Sequence, residues 1–183
     1  MRIITGSAKG TKLMTLEGED TRPTTEKVKE AIFSAIQFEL AERSVLDLFG
    51  GSGQLALEAL SRGAKNAVIV DFSRAATEVI KANAIKTKLM EKCRIVTADW
   101  RDYLKGAKGK ESFGLVFLDP PYQAGILDEV LKAIYASEIL APDAIIVCES
   151  DKDNVPEPLD NTAQRLYRHG KTYVSIIRSQ KTD

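Results

Sequence analysis

The chain has 183 residues, 44% hydrophobic and 28% charged, with 26 basic and 26 acidic side chains that cancel to a formal net charge of zero. That length suits one domain with a core of its own; no apolar run approaches the ~20 residues of a membrane helix, and Met1–Gly6 lacks the long apolar stretch of a signal peptide. Two distant cysteines, Cys93 and Cys148, and a single histidine, His169, supply no set of transition-metal ligands, so a reduced cytoplasmic protein without a metal is expected.

Taken from the N-terminus, Ile3–Thr5 and Leu13–Met14 flank Gly6-Ser7-Ala8-Lys9-Gly10 and predict a small hairpin. Arg22-Pro23-Thr24-Thr25 opens a helix running to about Ala41, with Val28, Ala31, Ile32, Ala35, Ile36 and Leu40 as its apolar stripe. From residue 44 onward strands alternate with helices, which argues for an α/β domain with a mostly parallel sheet. A strand over Ser44–Phe49 precedes a helix over Gln54–Arg62, with Leu55, Ala59 and Leu60 on one side and Gly63 closing it. Ala67–Val70 is a second strand ending at Asp71, and Ser73 caps a helix running to about Lys88. Arg94–Thr97 is a third strand leading into Ala98-Asp99-Trp100, and Leu115–Leu118 is a fourth. Leu127–Tyr135 has helical spacing, Ala144–Cys148 is a fifth strand, and the polar stretch Asp151–Asp160 is a loop. Arg165–Tyr167 and Tyr173–Ile177, separated by His169-Gly170-Lys171, read as an antiparallel pair closing the sheet.

The zero net charge conceals an uneven distribution. Residues 1–16 carry Arg2, Lys9 and Lys12 without an acid, residues 161–183 carry five basic side chains against Asp183, and residues 111–160 hold eleven acids and two lysines. If the two basic ends meet in space they form a surface that attracts phosphates; the plainer reading is ordinary solvated surface.

The chemistry lies where strands end. Val45-Leu46-Asp47-Leu48-Phe49 runs into Gly50-Gly51-Ser52-Gly53, whose glycines let backbone approach a ligand closely. Gly51-x-Gly53-x-x-Ala56, with Asp71 twenty residues after Gly51, also fits a dinucleotide fingerprint, so a nicotinamide cofactor must be weighed. Asp47 disfavours it: a carboxylate beside the loop repels a pyrophosphate, whereas the ammonium and sulfonium of S-adenosylmethionine tolerate an acid. Asp47 can equally be a buried acid bonded to loop amides, and both roles can hold together. Asp71 can accept bonds from ribose hydroxyls or cap the next helix. Asp99 can accept a bond from an adenine amino group with Trp100 beside the ring, or they can be a turn acid and a core tryptophan. Asp119-Pro120-Pro121-Tyr122 follows the apolar run Leu115–Leu118. Neither proline has an N–H, so Asp119 and the Pro120 carbonyl present acceptors for an exocyclic amine, and Tyr122 offers a face on which a base can stack. Four acids at four strand ends mark the edge where open α/β sheets bind ligands.

Arg2-Ile3-Ile4-Thr5-Gly6 with Lys9-Gly10, then Arg22-Pro23-Thr24, the Val45–Gly53 stretch, Leu57–Ala64, Asp71, Asn83 and Phe117–Tyr122 form one pattern over nearly the whole chain. On these residues the chain resembles a class I S-adenosylmethionine-dependent methyltransferase, and more narrowly the bacterial 16S rRNA guanine-N2 methyltransferase family, often called RsmD. It departs from that pattern at Gly50, where alanine is common and the change is expected to be harmless. At Asp71, followed by Phe72, glutamate is more common.

The resemblance implies a three-layer α/β/α sandwich. Its seven-stranded, mostly parallel sheet has an antiparallel strand, and 1–22 is a hairpin extension to a 23–183 catalytic core. It implies catalysis by Asp119, Pro120, Pro121 and Tyr122. The implied cofactor contacts are Asp47, Phe49, Gly50, Gly51, Ser52, Gly53, Asp71, Phe72, Asp99 and Trp100. RNA contacts are expected from Arg2, Lys9, Lys12 and Arg22. The implied substrate is 16S rRNA within a small-subunit assembly particle, at guanine 966. Adenine-N6 methylation of DNA, which uses the same acceptor motif, and a non-catalytic module that binds S-adenosylmethionine and RNA are the rival readings.

Overall fold

A computed structural model describes residues 1–16, 26–121, 126–157 and 159–179. Its central strand, β1 (Ser44–Asp47), places Val45 and Leu46 on opposite faces, and neither is exposed. A strand buried on both faces needs strands at its edges and helices above and below. β1 pairs in parallel with β2 (Asn66–Asp71) on one side and β4 (Phe113–Leu118) on the other. β3 (Cys93–Thr97) adds beyond β2, and β5 (Leu140–Ser150) adds beyond β4, both parallel. β7 (Thr172–Ser179) runs antiparallel to β5, and β6 (Thr162–His169) antiparallel to β7, giving the order β3-β2-β1-β4-β5-β7-β6.

Two apolar cores lie on the two faces of this sheet. Val45, Ile69, Leu115 and Phe117 pack on one face with α1 (Glu26–Ile36), α2 (Gln54–Ser61) and α3 (Arg74–Lys86). Leu46, Val68, Val116 and Ile146 pack on the other with α4 (Trp100–Ala107) and α5 (Ile126–Ala136). The result is the three-layer α/β/α sandwich with a mostly parallel seven-stranded sheet that the sequence predicts. The N-terminal hairpin forms around an antiparallel bridge between Arg2 and Lys12, supported by Ile3 N–H to the Thr11 carbonyl at 3.0 Å and Leu13 N–H to the Met1 carbonyl at 3.0 Å. Among the described residues no helix is long and apolar enough to cross a membrane, and no cluster of His, Cys, Asp or Glu could hold a metal ion.

Local expectations differ from the structure most in three places. α1 ends at Ile36 instead of near Ala41, and Phe38 beyond it is 95% exposed. Residues 100–107 form a helix in a stretch to which the sequence reading assigns no element. Its Trp100, Tyr103, Leu104 and Ala107 are the buried positions of one helical face, and Asp99 is its N-cap. Most informative is α2, expected to be apolar on one side only: every residue from Leu55 to Ser61 is buried. Its outer side is covered by the N-terminal hairpin. Gly6 sits there at φ 93, and a Cβ at that position would lie 1.8 Å from the Ser61 carbonyl oxygen. Ala8 N–H donates to Ser61 Oγ at 2.9 Å, and Ser61 Oγ donates to the Thr5 carbonyl at 2.7 Å. Only a glycine lets the chain lie this close.

Candidate active site

All the parallel strands end at one edge of the sheet. Asp47 is the last residue of β1, Asp71 the last of β2, Asp99 lies just past β3 and Asp119 just past β4. Together they line a cleft of about 420 Å³. Phe49, Gly50, Gly51 and Ser52 line it beside Asp47; Phe72 beside Asp71; Trp100 beside Asp99; Pro120 and Pro121 beside Asp119. Gly53 is absent from the lining and instead forms the left-handed N-cap of α2, at φ 79. Tyr122 and Arg22 lie outside the described residues.

Asp47 is 1% exposed. Its carboxylate accepts the N–H groups of Phe49 and Ala56, so it caps the N-terminus of α2 from a distance. Its Oδ1 has no hydrogen-bond partner among the described residues. Burial, and secondarily the charge of Asp71, push its pKa up from 3.8 to about 7, while the two amides pull the other way. A buried carboxylate with one idle oxygen is suited to a cationic ligand group.

Asp71 braces two turns. One oxygen accepts Gly51 N–H at 2.9 Å and the other accepts Ser73 N–H at 2.9 Å. Each oxygen keeps a lone pair for a ligand hydroxyl. Ser73 caps α3 as expected, accepting Ala76 N–H at 3.3 Å, a contact worth about 1 kcal/mol. Gly50 fits a narrow space: a Cβ there would stand 2.6 Å from Ile69 Cγ2 and 2.9 Å from Ile80 Cδ1. An alanine at this position of this chain would require Ile69 or Ile80 to shift.

Asp99 takes its plainer role, capping α4 through Arg101 N–H at 2.8 Å, while still facing the cleft. Trp100 is 6% exposed and belongs chiefly to the core, with the Arg101 guanidinium 4.3 Å from its ring centre. Phe72, by contrast, is 74% exposed and is the most accessible aromatic ring among the described residues that line the cleft. Asp119 is half-buried, Pro120 buried and Pro121 exposed.

Met1, Thr15 and Leu16 also line this cleft, which the sequence reading did not foresee. No local pattern signals them, because they reach the site only through the docking of the hairpin. Among the expected RNA contacts, Arg2, Lys9 and Lys12 are exposed. Arg2 is paired with Glu26 at 3.2 Å, and Arg178 near the other end of the chain with Glu39 at 2.6 Å, so part of the basic excess is neutralised. Arg168 on β6 donates to the Gly170 carbonyl at 3.2 Å and lies 5.8 Å over the Tyr173 ring.

The family model described as conserved hypothetical protein 95 matches residues 1–178. The Bacillus subtilis protein YlbH is 38% identical over 98% of this chain and all of its own length. Ribosomal RNA small subunit methyltransferase D of Haemophilus influenzae is 33% identical, covering 84% of this chain and 80% of its own. A solved structure of the Escherichia coli protein yhhF superposes with a TM-score of 0.87 at 32% identity, covering 98% of both chains. The chain therefore belongs to the conserved hypothetical protein 95 family, the RsmD-type methyltransferases whose motifs its sequence carries.

Proposed function

We propose that this protein binds S-adenosylmethionine in the strand-edge cleft and methylates the exocyclic N2 amine of a guanine in 16S rRNA, guanine 966 by family pattern. The observation that carries the reading is the convergence of Asp119-Pro120-Pro121 with the glycine loop and three further strand-end acids on one cleft. The rRNA half is supported by relatives named as small-subunit rRNA methyltransferases.

The cofactor supplies a methyl group on a sulfonium, an electrophile that needs no metal. The residues present fit it. Asp47, with an unused oxygen and a pKa near 7, suits the ammonium of the methionine part. Asp71 suits the ribose hydroxyls, and Phe72 gives the adenine an apolar face. Asp99 is placed for the adenine amino group. The Gly50–Ser52 backbone leaves room for close approach.

The chain's own work is on the base. An aryl amine is a weak nucleophile because its lone pair is delocalised into the ring. Hydrogen bonds from its two N–H groups to Asp119 and the Pro120 carbonyl favour a pyramidal nitrogen and free that lone pair. The same acceptors stabilise the positive charge that develops on nitrogen, and they are oriented before reaction. Holding the amine at near-attack distance supplies further acceleration. The proton leaves after transfer, since the methylated amine is acidic, and no strong base is required beforehand. The target base must leave its stack to reach the cleft; Tyr122 is the residue proposed to receive it.

Methyl-labelled S-adenosylmethionine offered with deproteinised 16S rRNA, small-subunit particles and DNA, followed by digestion to nucleosides, tests this reading. Label in N2-methylguanosine from either RNA sample is expected, and the two samples separate naked RNA from particle. Label in N6-methyladenosine would transfer the site to the rival chemistry, and no label from any substrate would reduce it to a binding module.

A further inference from the structure

The N-terminal residues bring more than positive charge to the site. Asn83, on α3, is 0% exposed and uses its side-chain amide as a three-way joint. Its Oδ1 accepts Met14 N–H at 2.8 Å, and its Nδ2 donates both to the Met14 carbonyl at 3.0 Å and to the Ser52 carbonyl at 2.8 Å. One side chain thus closes on the backbone of Met14 as a neighbouring strand would, and grips the glycine loop with its second amide hydrogen. Asn83 occurs within the family pattern, but nothing in that pattern says what it does.

Apolar burial does not explain where residues 14–16 lie. Leu13 is the last core side chain of the hairpin, at 7% exposed, while the Met14 side chain is 51% exposed and Thr15 also faces solvent. Yet Thr15 and Leu16 form part of the wall of the same cleft that the strand-end acids line. Their placement rests on the Asn83 amide. Only a side chain with two donor hydrogens and an acceptor makes all three bonds; aspartate keeps the acceptor and loses both donors.

We propose that Asn83 is a positioning residue that holds residues 14–16 as a wall of the cofactor cleft and ties that wall to the glycine loop. The inference rests on the cofactor reading above and extends it. Because one amide grips both Met14 and Ser52, ordering of the loop and seating of the wall favour each other. Such coupling is reciprocal: cofactor bound at the loop must tighten the seat of residues 14–16, and loss of the seat must weaken the cofactor.

The test combines calorimetric titration of S-adenosylmethionine with amide hydrogen exchange at residues 14–16, on the full chain. In the wild type, cofactor should slow exchange at these residues; exchange that does not respond overturns the proposal without any variant. N83A and N83D should each weaken the cofactor at least tenfold and abolish that response. V130A, in the core on the opposite face, should lower the melting temperature yet leave cofactor affinity within twofold. Should N83A fail to fold, N83D and the wild-type exchange decide the matter. Variants that bind cofactor as the wild type does, or a V130A variant that weakens it equally, refute the role of Asn83. A wild type that binds no S-adenosylmethionine overturns this proposal and the functional reading together, so the two failures are distinguishable.

Discussion

Glu58 and Asp47 are both buried carboxylates in contact with α2, one at its middle and one at its N-terminus, and their surroundings are opposite. Glu58 accepts Ile4 N–H at 2.8 Å and Thr5 N–H at 3.0 Å, and pairs with Lys29 at 3.2 Å and Arg62 at 2.8 Å. Lys29, itself fully buried, also donates to the Arg2 carbonyl. Burial pulls the Lys29 pKa down, against the pull of Glu58. This network is complete without a ligand, and it fastens the hairpin to α1 and α2. Among the described residues Asp47 has two amides, no cation and an idle oxygen. A buried charge satisfied from within holds a fold; one left short of a counter-ion is a candidate for binding a charged ligand.

The strongest way to sharpen the contrast is at the cleft. Asp119→Ala should cut turnover by about 10²–10³-fold or more, as loss of a preorganised charge-stabilising group does. Its cofactor dissociation constant should stay within a few fold in calorimetry, and its urea midpoint should be nearly unchanged. Glu58→Ala should behave in the opposite way. It strands Lys29 in the interior and two backbone amides of the hairpin, so about 3–5 kcal/mol of stability should be lost in urea unfolding. An equally stable Glu58→Ala variant would remove the structural half of the comparison.

A third test uses pH. The folded pKa of Asp47 is raised, so folding favours its protonated form. Its contribution to the stability of the free protein is therefore best below the ordinary carboxylate pKa of 3.8, declines as pH rises toward about 7, and then levels off. A cationic ligand group prefers the ionised form, so cofactor affinity should rise about tenfold between pH 6 and pH 8, with uptake of the ligand releasing a proton. Titration in buffers of different ionisation enthalpy measures that proton. In Asp47→Asn the pH dependence should vanish and affinity should fall, while stability at pH 8 should increase.

The smallest effect belongs to the surface. Replacing Lys9 and Lys12 by alanine should reduce the slope of log affinity for RNA against log salt by roughly 0.7–0.9 per lysine. Cofactor affinity should not change. An unaltered slope would clear these two residues of phosphate contact.

Much of the protein is readable along the chain because the relevant signals are local. The parallel strands announce themselves as short apolar runs, and each of the four acids lies at or near the end of such a run. A parallel sheet must deliver all those strand ends to one edge, so Asp47, Asp71, Asp99 and Asp119 could be grouped from order alone. α4 is legible too, in the spacing of Trp100, Tyr103, Leu104 and Ala107.

The rest depends on residues distant in sequence becoming neighbours. That Asp99 caps a helix while facing the cleft, and that Trp100 is mainly core, follows from how α4 packs on the sheet. The all-round burial of α2 and the joint at Asn83 exist only because residues 1–16 fold back over helices more than fifty positions later, and the Lys29–Glu58 pair only because α1 meets α2. Periodicity reports which face of an element is apolar; it carries no record of which segment will cover the other face. The identity of each strand-end acid was thus written in the chain, while the protonation of Asp47, the partners of these acids and the share of the cleft wall supplied by residues 15 and 16 were set by the packing around them.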